Sequence, residues 1–347
     1  MTSTASRPTV ADVRAQVPAA RGYLDTATCG LPVPATLDAL GTHLRTWQDG
    51  SGSLEAFHAP VERSRALFAE LAGVPGTQVA VGSQVSAAAG AVAASLPPGA
   101  RVVLAEQDFT SLLWPFLQRT DLRCTLVPLD QVPAATAAAD WVAVSSVQSC
   151  SGDLLDLDAL RRAADESGAR VLLDVTQSAG WLPLDASRWD VVVAGAYKWL
   201  LCPRGAAFTV VRPEVLDELV PPAPGWFAGE GGSTSYYGGP VRLARDARRL
   251  DVSPAWPCWA GAAPALQLLA DLGVEAVHAH DVGLAEAFRA RVGLPPSDSA
   301  VVSLDADVEA LRAAGVRCSG RAGRARLAFH LYNDEDDVDL AARALGC

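Results

Sequence analysis

Short apolar runs alternate with longer stretches of helical periodicity through the first 211 residues of the chain. Each run is bounded by turn residues and has the length of a strand that is buried on both faces. The runs lie at residues 79–81, 101–104, 125–128, 141–145, 171–174, 191–194 and 206–211. The clearest helical stretches lie at residues 86–96, 112–119 and 157–167. This alternation predicts an α/β fold in which helices cover both faces of a mostly parallel, seven-stranded sheet.

Chemically useful residues follow three of these predicted strands. Gly82-Ser83-Gln84 comes after the first strand, Asp174 ends the fifth, and Lys198 follows the sixth. Ligands of open α/β sheets bind beyond the carboxyl ends of the strands, where residues far apart in sequence meet. The sequence therefore predicts one site that brings the three segments together.

The pattern changes beyond Pro221. Residues 221–239 are rich in proline and glycine, which predicts a long loop. We expect a large domain over residues 21–250, and a smaller α+β domain over residues 251–347 that includes the N-terminal segment 1–20. In the small domain, helices are predicted at 262–272, 281–292, 305–314 and from 334, and strands at 300–304 and 324–330.

Composition and charge exclude several classes of partner. Half of the 347 residues are apolar, which supplies a sizeable core. A formal net charge of −11 argues against a nucleic acid or an anionic membrane as partner. Residues 1–20 contain charges and no apolar run, so we expect no signal peptide, and no stretch has the length of a membrane span.

The cysteines and histidines indicate reduced thiols and no metal site. Seven cysteines, an odd number, are scattered without CxxC spacing, and the five histidines show no HExxH pattern. Such a distribution is typical of a cytoplasmic protein rather than of a disulfide or zinc framework. We therefore expect a cytoplasmic protein without a metal.

Lys198 is the only lysine among the 28 Lys and Arg residues. It follows the mostly apolar run 191–197 and precedes Trp199-Leu200-Leu201, a poor setting for a surface cation. Burial disfavours the charged form of an amine and lowers its pKa. Only the lysine amine can lose its proton at accessible pH and attack a carbonyl group. A lysine left by chance on the surface is the alternative, which the apolar flanks disfavour.

Asp174 ends the apolar run 171–173, where an ionised carboxylate requires a cationic or hydrogen-bonding partner. A protonated pyridine nitrogen is such a partner, and an aspartate facing it is a mark of enzymes that use pyridoxal phosphate (PLP). A cap on a following helix is the alternative. The turn at residues 82–86 joins a strand to a helix, so its N–H groups can bind a phosphate. It lacks the GxGxxG and P-loop patterns, which disfavours a dinucleotide or ATP.

Several segments of the chain resemble a known family. Asp174-Val175-Thr176-Gln177-Ser178-Ala179-Gly180, with Tyr197-Lys198-Trp199 around the position 24 residues after the aspartate, resembles the PLP-binding signature of class V aminotransferases. Residues 23–27, 249–254 and 326–333 also resemble elements of this family, in the expected order. The group has the fold-type I architecture of PLP enzymes and includes cysteine desulfurases, kynureninases and isopenicillin-N epimerases.

The resemblance implies how the cofactor would be held. Lys198 would form a Schiff base with PLP and later act as the base in proton transfer. Asp174 would keep the pyridine nitrogen protonated, and Gln177 would reach the 3-oxygen of the ring. Phe109 would stack on the ring, as at the matching position of kynureninases.

The resemblance also implies contacts to the phosphate and the substrate. Ser83, Gln84 and Tyr197 would bind the phosphate. Trp226, in a loop that resembles one of kynureninases, would contribute to the phosphate site from a neighbouring subunit. Arg326 would grip the α-carboxylate of an amino-acid substrate in a bidentate fork, and a solvated strand arginine is the alternative.

A homodimer is implied as well, because sites of fold-type I enzymes are usually completed by a neighbouring subunit. The loop 221–239 is the candidate for the element that crosses between subunits. The substrate would be a small molecule, an amino acid, with no nucleic acid and no membrane involved.

The type of reaction is left open between three alternatives. β-Elimination by a C–S lyase in a biosynthetic or sulfur-metabolism pathway is one; an aminotransferase and an epimerase or racemase are the others. A cysteine desulfurase is less favoured, because Cys318 lies only 8 residues before Arg326, without a long mobile loop, and Cys258 is a weaker candidate still. We favour the lyase by a narrow margin, since Phe109 and Tyr197 fit the lyase and epimerase branches. A binding protein that has kept the fold without PLP is a further alternative, which the Lys198 and Asp174 pair disfavours.

Overall fold

The computed structural model describes residues 8–17 and 20–347, so part of the N-terminal segment 1–20 assigned to the small domain lies outside the described residues. The strands are β1 (Val79–Gly82), β2 (Arg101–Ala105), β3 (Arg123–Val127), β4 (Trp141–Ser145), β5 (Arg170–Asp174), β6 (Val191–Gly195), β7 (Ala207–Val211), β8 (Val301–Leu304), β9 (Ser319–Arg321) and β10 (Arg324–Ala328). The helices are α1 (Val10–Gln16), α2 (Pro34–Gln48), α3 (Leu54–Ala72), α4 (Val85–Ser95), α5 (Thr110–Leu117), α6 (Val132–Ala135), α7 (Leu157–Ser167), α8 (Pro213–Leu216), α9 (Trp256–Leu272), α10 (Val274–Arg291), α11 (Val308–Ala313) and α12 (Glu335–Ala344).

The first seven strands form one sheet in the order β1-β7-β6-β5-β4-β2-β3. Five neighbouring strands, β6, β5, β4, β2 and β3, pair in parallel, whereas β7 runs antiparallel to both β6 and β1. β1 therefore points in the same direction as β6, and β7 alone is reversed among the described strands of this sheet. The mostly parallel, seven-stranded sheet predicted from the sequence is confirmed, and the carboxyl ends of β1, β5 and β6 share one edge.

Helices cover both faces of this sheet because its central strands are apolar on both sides. In β5, Val171 and Leu173 join the core that also contains residues of α3 and α7. Leu172, between them, joins the opposite core with residues of α4 and α5. This alternation follows from the two-residue period of a strand and explains why β5 has no polar face.

The helices after the long loop begin earlier than the sequence pattern indicates. α9 begins at Trp256 rather than at 262, and α10 at Val274 rather than at 281. Pro257 interrupts the pattern, but it lies in the first turn of α9, where a missing N–H costs no helical hydrogen bond. Trp259 of α9 then packs edge to face on Phe208 of β7, with ring centroids 5.4 Å apart. The domain boundary near residue 250 stays a prediction.

A second sheet of three antiparallel strands has the order β8-β10-β9. β8 and β10 follow the sequence prediction. β9 was not predicted, because three residues with a central glycine show no strand periodicity. Its register places Ser319 opposite Arg326, next to the edge of the large sheet where the predicted site lies. None of the described helices combines the length and the hydropathy needed to cross a membrane.

A buried ion pair anchors β1, the strand that leads to Ser83. Both Nη atoms of Arg65 on α3 donate to the carboxylate of Asp251, at 3.1 and 2.8 Å. Asp251 Oδ1 also accepts from the Val81 N–H at 2.7 Å, and Arg65 Nη1 donates to the Val79 carbonyl at 2.6 Å. A buried pair stays stable only when its remaining donors and acceptors are satisfied, and here the backbone of β1 satisfies them.

Candidate active site

A cavity of about 410 Å³ opens at the carboxyl edge of the large sheet. Its volume lies in the range of small-molecule sites. Eight residues singled out from the sequence line it: Ser83, Gln84, Phe109, Asp174, Gln177, Tyr197, Lys198 and Arg326. The direction of the strands brings them together, since they follow or end β1, β2, β5 and β6, with Arg326 added from β10.

A neighbouring cavity of about 560 Å³ lies beyond β2 and β3. Its lining contains four carboxylates and no lysine or arginine; the carboxylates are Glu106, Asp130, Asp153 and Asp156. Such a lining repels a phosphate or a carboxylate ligand. The smaller cavity therefore suits an anionic cofactor and substrate better.

Lys198 is buried, with 6% of its surface exposed. Burial lowers the pKa of its amine to about 8, the Asp174 carboxylate opposes this shift, and Arg326, Arg321 and Arg204 add to it. Its Nζ lies 5.7 Å from the centre of the Phe109 ring. The alternative of a surface lysine is therefore wrong.

The backbone around Lys198 is held by a close approach of Gly30. The Gly30 N–H donates to the Tyr197 carbonyl at 2.9 Å. A Cβ at position 30 would lie 2.1 Å from the Lys198 carbonyl oxygen, so only glycine fits there. Leu201 adopts a positive φ of 56°, which turns the chain back after the lysine. The lysine thus lies on a rigid turn rather than on a mobile loop.

Asp174 is buried at the end of β5 and faces the same cavity. Burial raises its pKa, and the hydrogen bond from the Thr176 N–H together with the charge of Lys198 opposes that shift. The Thr176 N–H lies 2.8 Å from Asp174 Oδ1. No helix begins after Asp174, since residues 176–180 form turns, and the alternative of a helix cap is wrong. A buried carboxylate beside a cavity fits a ligand that presents a cationic N–H.

Gln177 has a side-chain amide of fixed orientation. The indole Nε1 of Trp199 lies 2.9 Å from Gln177 Oε1, and an indole N–H can only donate. The Nε2 atom of Gln177 therefore faces the other way, toward the Ala27 carbonyl at 3.0 Å and Ser149 Oγ at 2.9 Å. Gln177 also lines the cavity, and because its Nε2 already donates both hydrogens, a ligand oxygen would take the place of the Ala27 or Ser149 acceptor.

Asp108 was missed from the sequence although it follows β2 at the same edge. It is buried and accepts hydrogen bonds from the Ser145 N–H at 3.0 Å and from Gln148 Nε2 at 2.8 Å. Burial raises the pKa of its carboxyl group to about 6. These bonds hold the loop that carries Phe109, whose ring is half exposed in the cavity. The signal that could have found Asp108 is its place after a predicted strand.

The turn between β1 and α4 forms the end of the cavity suited to a phosphate. Ser83, Gln84 and Val85 line it, and the N-cap residue Gln84 makes no side-chain hydrogen bond to the helix. The first N–H groups of α4 are therefore left without a side-chain cap, as an anion site at a helix N-terminus requires. Tyr197 also lines this cavity, and the guanidinium of Arg204 stacks over its ring at 4.8 Å.

Arg326 is buried and not a solvated strand arginine. Its Nη1 donates to the Ser149 carbonyl, while its Nη2 donates to Thr28 Oγ1 at 2.6 Å and Ser319 Oγ at 3.1 Å. Burial lowers the pKa of its guanidinium to about 10. Its Nε has no hydrogen-bond partner among the described residues. A buried guanidinium that lines a cavity, with its ion pair to Asp25 as long as 3.5 Å, suits a carboxylate ligand.

Trp226, Cys258 and Cys318 do not line the cavity. Trp226 stacks on His58, with ring centroids 5.3 Å apart, and does not line the cavity of its own chain. Cys318 is buried in the apolar core of the small sheet, and neither it nor Cys258 lines the cavity. Within the described residues, no group of three or more His, Cys, Asp or Glu side chains is placed to hold a metal ion.

The low pKa of Lys198 predicts an unusual pH dependence of its reactivity. Only the neutral amine reacts with an acylating reagent, and an amine with a pKa of about 8 is half neutral near pH 8 rather than near its ordinary 10.5. Labelling of cofactor-free protein with acetic anhydride, read by peptide mass, should therefore rise with pH around a midpoint near 8. Because Lys198 is the only lysine, its peptide carries the only side-chain amine of the chain.

Two controls accompany this measurement. In protein unfolded by urea the midpoint should return to near 10.5, and Asp174→Asn should lower the midpoint in the folded protein, because Asp174 raises the pKa of Lys198. A midpoint near 10.5 in the folded protein would contradict the burial of this amine.

Comparisons with known proteins agree with this geometry. The family model described as Aminotransferase class-V matches residues 23–299. An uncharacterized aminotransferase, YcbU, from Bacillus subtilis (strain 168) is 30% identical over 82% of this chain and 84% of its own length. A probable hercynylcysteine sulfoxide lyase from Mycobacterium tuberculosis is 29% identical over 61% of this chain and 57% of its own.

Solved structures show the same fold. The cystine C–S lyase C-DES, in complex with cysteine persulfide, matches with a TM-score of 0.84 and 21% identity, covering 95% of this chain and 99% of the other. The cysteine desulfurase CsdA from Escherichia coli matches with a TM-score of 0.82 and 20% identity, covering 98% of each chain. The fold-type I architecture expected from the sequence is therefore confirmed.

The family match extends over most of the chain and includes the turn after β1, the ends of β5 and β6 and the lysine itself. The enzymes of this family use PLP, so the cofactor predicted from the sequence is confirmed with it. The chain belongs to the class V aminotransferase family of PLP-dependent enzymes.

Proposed function

We propose that this enzyme is a C–S lyase that eliminates the β-substituent of an S-substituted cysteine. The observation that carries the proposal is a cavity with a buried, readily neutralised lysine and no cysteine in its lining. A cysteine desulfurase needs a thiol that reaches the substrate, and this lining supplies none. The names of two relatives, a probable hercynylcysteine sulfoxide lyase and a cystine C–S lyase, support the same class.

PLP, when bound, acts as an electron sink that weakens the bonds at the α-carbon of an amino acid. The residues of the cavity fit it. The uncapped N-terminus of α4, with Ser83 and Gln84, would hold the phosphate, and Asp174 would keep the ring nitrogen protonated. Gln177 Nε2 would donate to the 3-oxygen, and Phe109 would cover the ring.

The remaining groups of the chain orient the substrate and move its proton. Arg326, which lines the cavity, would bind the α-carboxylate through its guanidinium. Lys198, neutral above about pH 8, would take the proton from the α-carbon at Nζ. The Cα–H and Cβ–S bonds break, the thiol leaves with the Cβ–S electron pair and a proton, and water converts the remainder to pyruvate and ammonia.

The assay follows from this balance. S-substituted cysteines should yield pyruvate and thiol in equal amounts, and Lys198→Arg should lower kcat by roughly 10²- to 10⁴-fold, because a guanidinium stays protonated. The variant keeps the positive charge, so circular dichroism should show an unchanged fold, while the visible absorption of PLP-loaded protein is lost.

Other products would assign the other reactions. Consumption of a keto acid without pyruvate or thiol would show an aminotransferase, and α-deuterium exchange without loss of the amino acid would show an epimerase. Protein that stays colourless with added PLP would contradict the enzyme itself.

The orientation of Gln177 generates a second prediction. Trp199→Phe removes the N–H that holds Gln177 Oε1 and leaves a smaller aromatic ring, while the Ala27 carbonyl still accepts from Nε2. The loss of one hydrogen bond, about 0.5–1.5 kcal/mol, should weaken PLP binding by roughly 2- to 12-fold. Fluorescence titration of cofactor-free protein measures it. Trp181→Phe, whose Nε1 donates only to the Gln177 carbonyl, is the matched control and should change PLP affinity less.

We also infer a homodimer, in which the loop 221–239 completes the site of a second copy. Trp226 does not line the cavity of its own chain, and two large aromatic side chains are open to solvent: Trp47 of α2 is 68% exposed, and Tyr237 in the loop is 92% exposed. An exposed apolar surface of this kind is typical of an interface. The seven free cysteines support the expected reducing, cytoplasmic compartment.

Light scattering tests the dimer. The solution mass should be about twice the 36.1 kDa of one chain, and Trp47→Glu should shift it toward the monomer, because a charge would be buried at the interface. Leu126→Glu, on the edge strand β3 and also exposed, is the control that should leave the mass unchanged. A wild-type mass of one chain would contradict the dimer.

A further inference from the structure

Positive charge is concentrated in the cavity beyond what one phosphate and one carboxylate call for. Its lining holds one carboxylate, Asp174, and four cationic side chains: Lys198, Arg204, Arg321 and Arg326. The chain as a whole carries a net charge of −11, so this local excess is opposite in sign to the rest of the protein. The proposed function assigns Lys198 and Arg326; Arg204 stacks over the ring of Tyr197, and Arg321 is left without a role.

Arg321 lies at the same end of the cavity as Arg326. Ser319 and Arg321 are two residues apart on β9, so their side chains share one face of the strand. Ser319 Oγ accepts from Arg326 Nη2 at 3.1 Å. Arg321 Nη2 and Arg326 Nη2 both donate to Thr28 Oγ1, at 3.1 and 2.6 Å. Two guanidinium groups therefore converge on a single hydroxyl oxygen.

This pair of cations is poorly compensated by the protein. Asp25 lies 3.5 Å from Arg326 Nη2, while Arg321 forms no salt bridge with any carboxylate of the described residues. Two like charges so close repel each other, the more so because Arg326 is buried. After burial, Arg321 is the largest cause that lowers the pKa of Arg326. Binding of anions on this side would relieve the repulsion.

The phosphate of PLP would bind at the other end of the cavity from Arg321. The phosphate end of the cavity is the turn between β1 and α4, whereas Arg321 lies on β9, beside Thr28 and the substrate-binding Arg326. The α-carboxylate of the substrate has Arg326, the guanidinium that the proposed function assigns to it. One guanidinium at the substrate end thus remains for a further negative group.

We propose that the substrate carries a second carboxylate, beyond the Cβ–S bond, which Arg321 binds while Arg326 holds the α-carboxylate. This inference rests on the proposed function of the site, since it makes the departing thiol the carrier of the second charge. The substrate class is then an S-substituted cysteine whose sulfur substituent is acidic. In the elimination the second carboxylate leaves with the thiol and keeps its charge.

Two pairs of near-isosteric compounds test the charge alone. In the first pair, S-carboxymethylcysteine has a carboxylate where S-carbamoylmethylcysteine has an amide. The kcat/KM for pyruvate release is measured with each compound. 2-Aminoadipate and its 6-amide have the same length without a sulfur, and they report binding through the absorbance change of PLP-loaded protein. We expect the carboxylate to be favoured in each pair by roughly 10- to 100-fold, the range of one charge-assisted hydrogen-bond pair.

Variants of Arg321 separate its role from a structural one. Arg321→Gln should abolish the preference and leave the affinity for the amides within about threefold. Arg321→Lys should keep part of the preference, and Arg321→Glu should reverse it. Arg324→Gln is the matched control, because Arg324 is paired with Arg321 across the strands but is exposed and bonded to Ser303, away from the cavity. It should behave as the wild type does.

Three results would overturn the inference. One is equal binding of carboxylate and amide by the wild type. Another is an equal loss of affinity for the carboxylate and for the amide in Arg321→Gln, which would show that Arg321 helps to bind the α-carboxylate. The third is a loss of PLP affinity in that variant, which would assign Arg321 to the cofactor. If no pyruvate forms but the preference for 2-aminoadipate exists and needs Arg321, the proposed elimination fails and the second carboxylate site stands.

Discussion

The burial of two opposite charges at one edge of the sheet is the constraint on which the site depends. Lys198 and Asp174 are each less than a tenth exposed. Removal from water disfavours the charged form of both, so the pKa of the lysine falls to about 8 while that of the aspartate rises, and each charge partly offsets the shift of the other. The result is an amine that can be neutral near physiological pH and, at the same edge, a carboxylate that a cationic N–H of a ligand would stabilise. Both shifts would shrink if water replaced the packed side chains around this pair.

Packed side chains exclude water from the side of this pair that faces away from the cavity. The strands that lead to these two residues are apolar on both faces and covered by helices, so packed apolar side chains lie directly below the edge. Gly30 allows the backbone to approach the lysine turn closely, and the Arg65–Asp251 pair holds β1, the strand that leads to Ser83. Trp199, directly after the lysine, orients the amide of Gln177. Groups that touch a ligand are thus supported by others that do not.

Electrostatics divide the cavity into two ends. At one end the uncapped N-terminus of α4 offers N–H groups, whose partial charge suits a phosphate. At the other end Arg321 and Arg326 share Thr28 and offer full charges in a less exposed setting. An acidic protein can present such a site because net charge acts over long distances and is screened, whereas a ligand in a cavity responds to the groups within a few ångströms.

Local sequence determined the strands, the lysine and the aspartate, because a buried parallel strand reads as an apolar run and a residue at its end breaks that run. The same logic placed Ser83 and Gln84 in the cavity, and family motifs added Gln177, Phe109 and Arg326. Only the tertiary structure decided that Asp108 supports Phe109, that Trp199 orients Gln177 and that Arg321 meets Arg326 at Thr28. It also showed that Trp226 packs on His58, outside its own cavity. These contacts join residues from separate elements, so the angle and distance between the elements decide them, and no periodicity within one segment records either quantity.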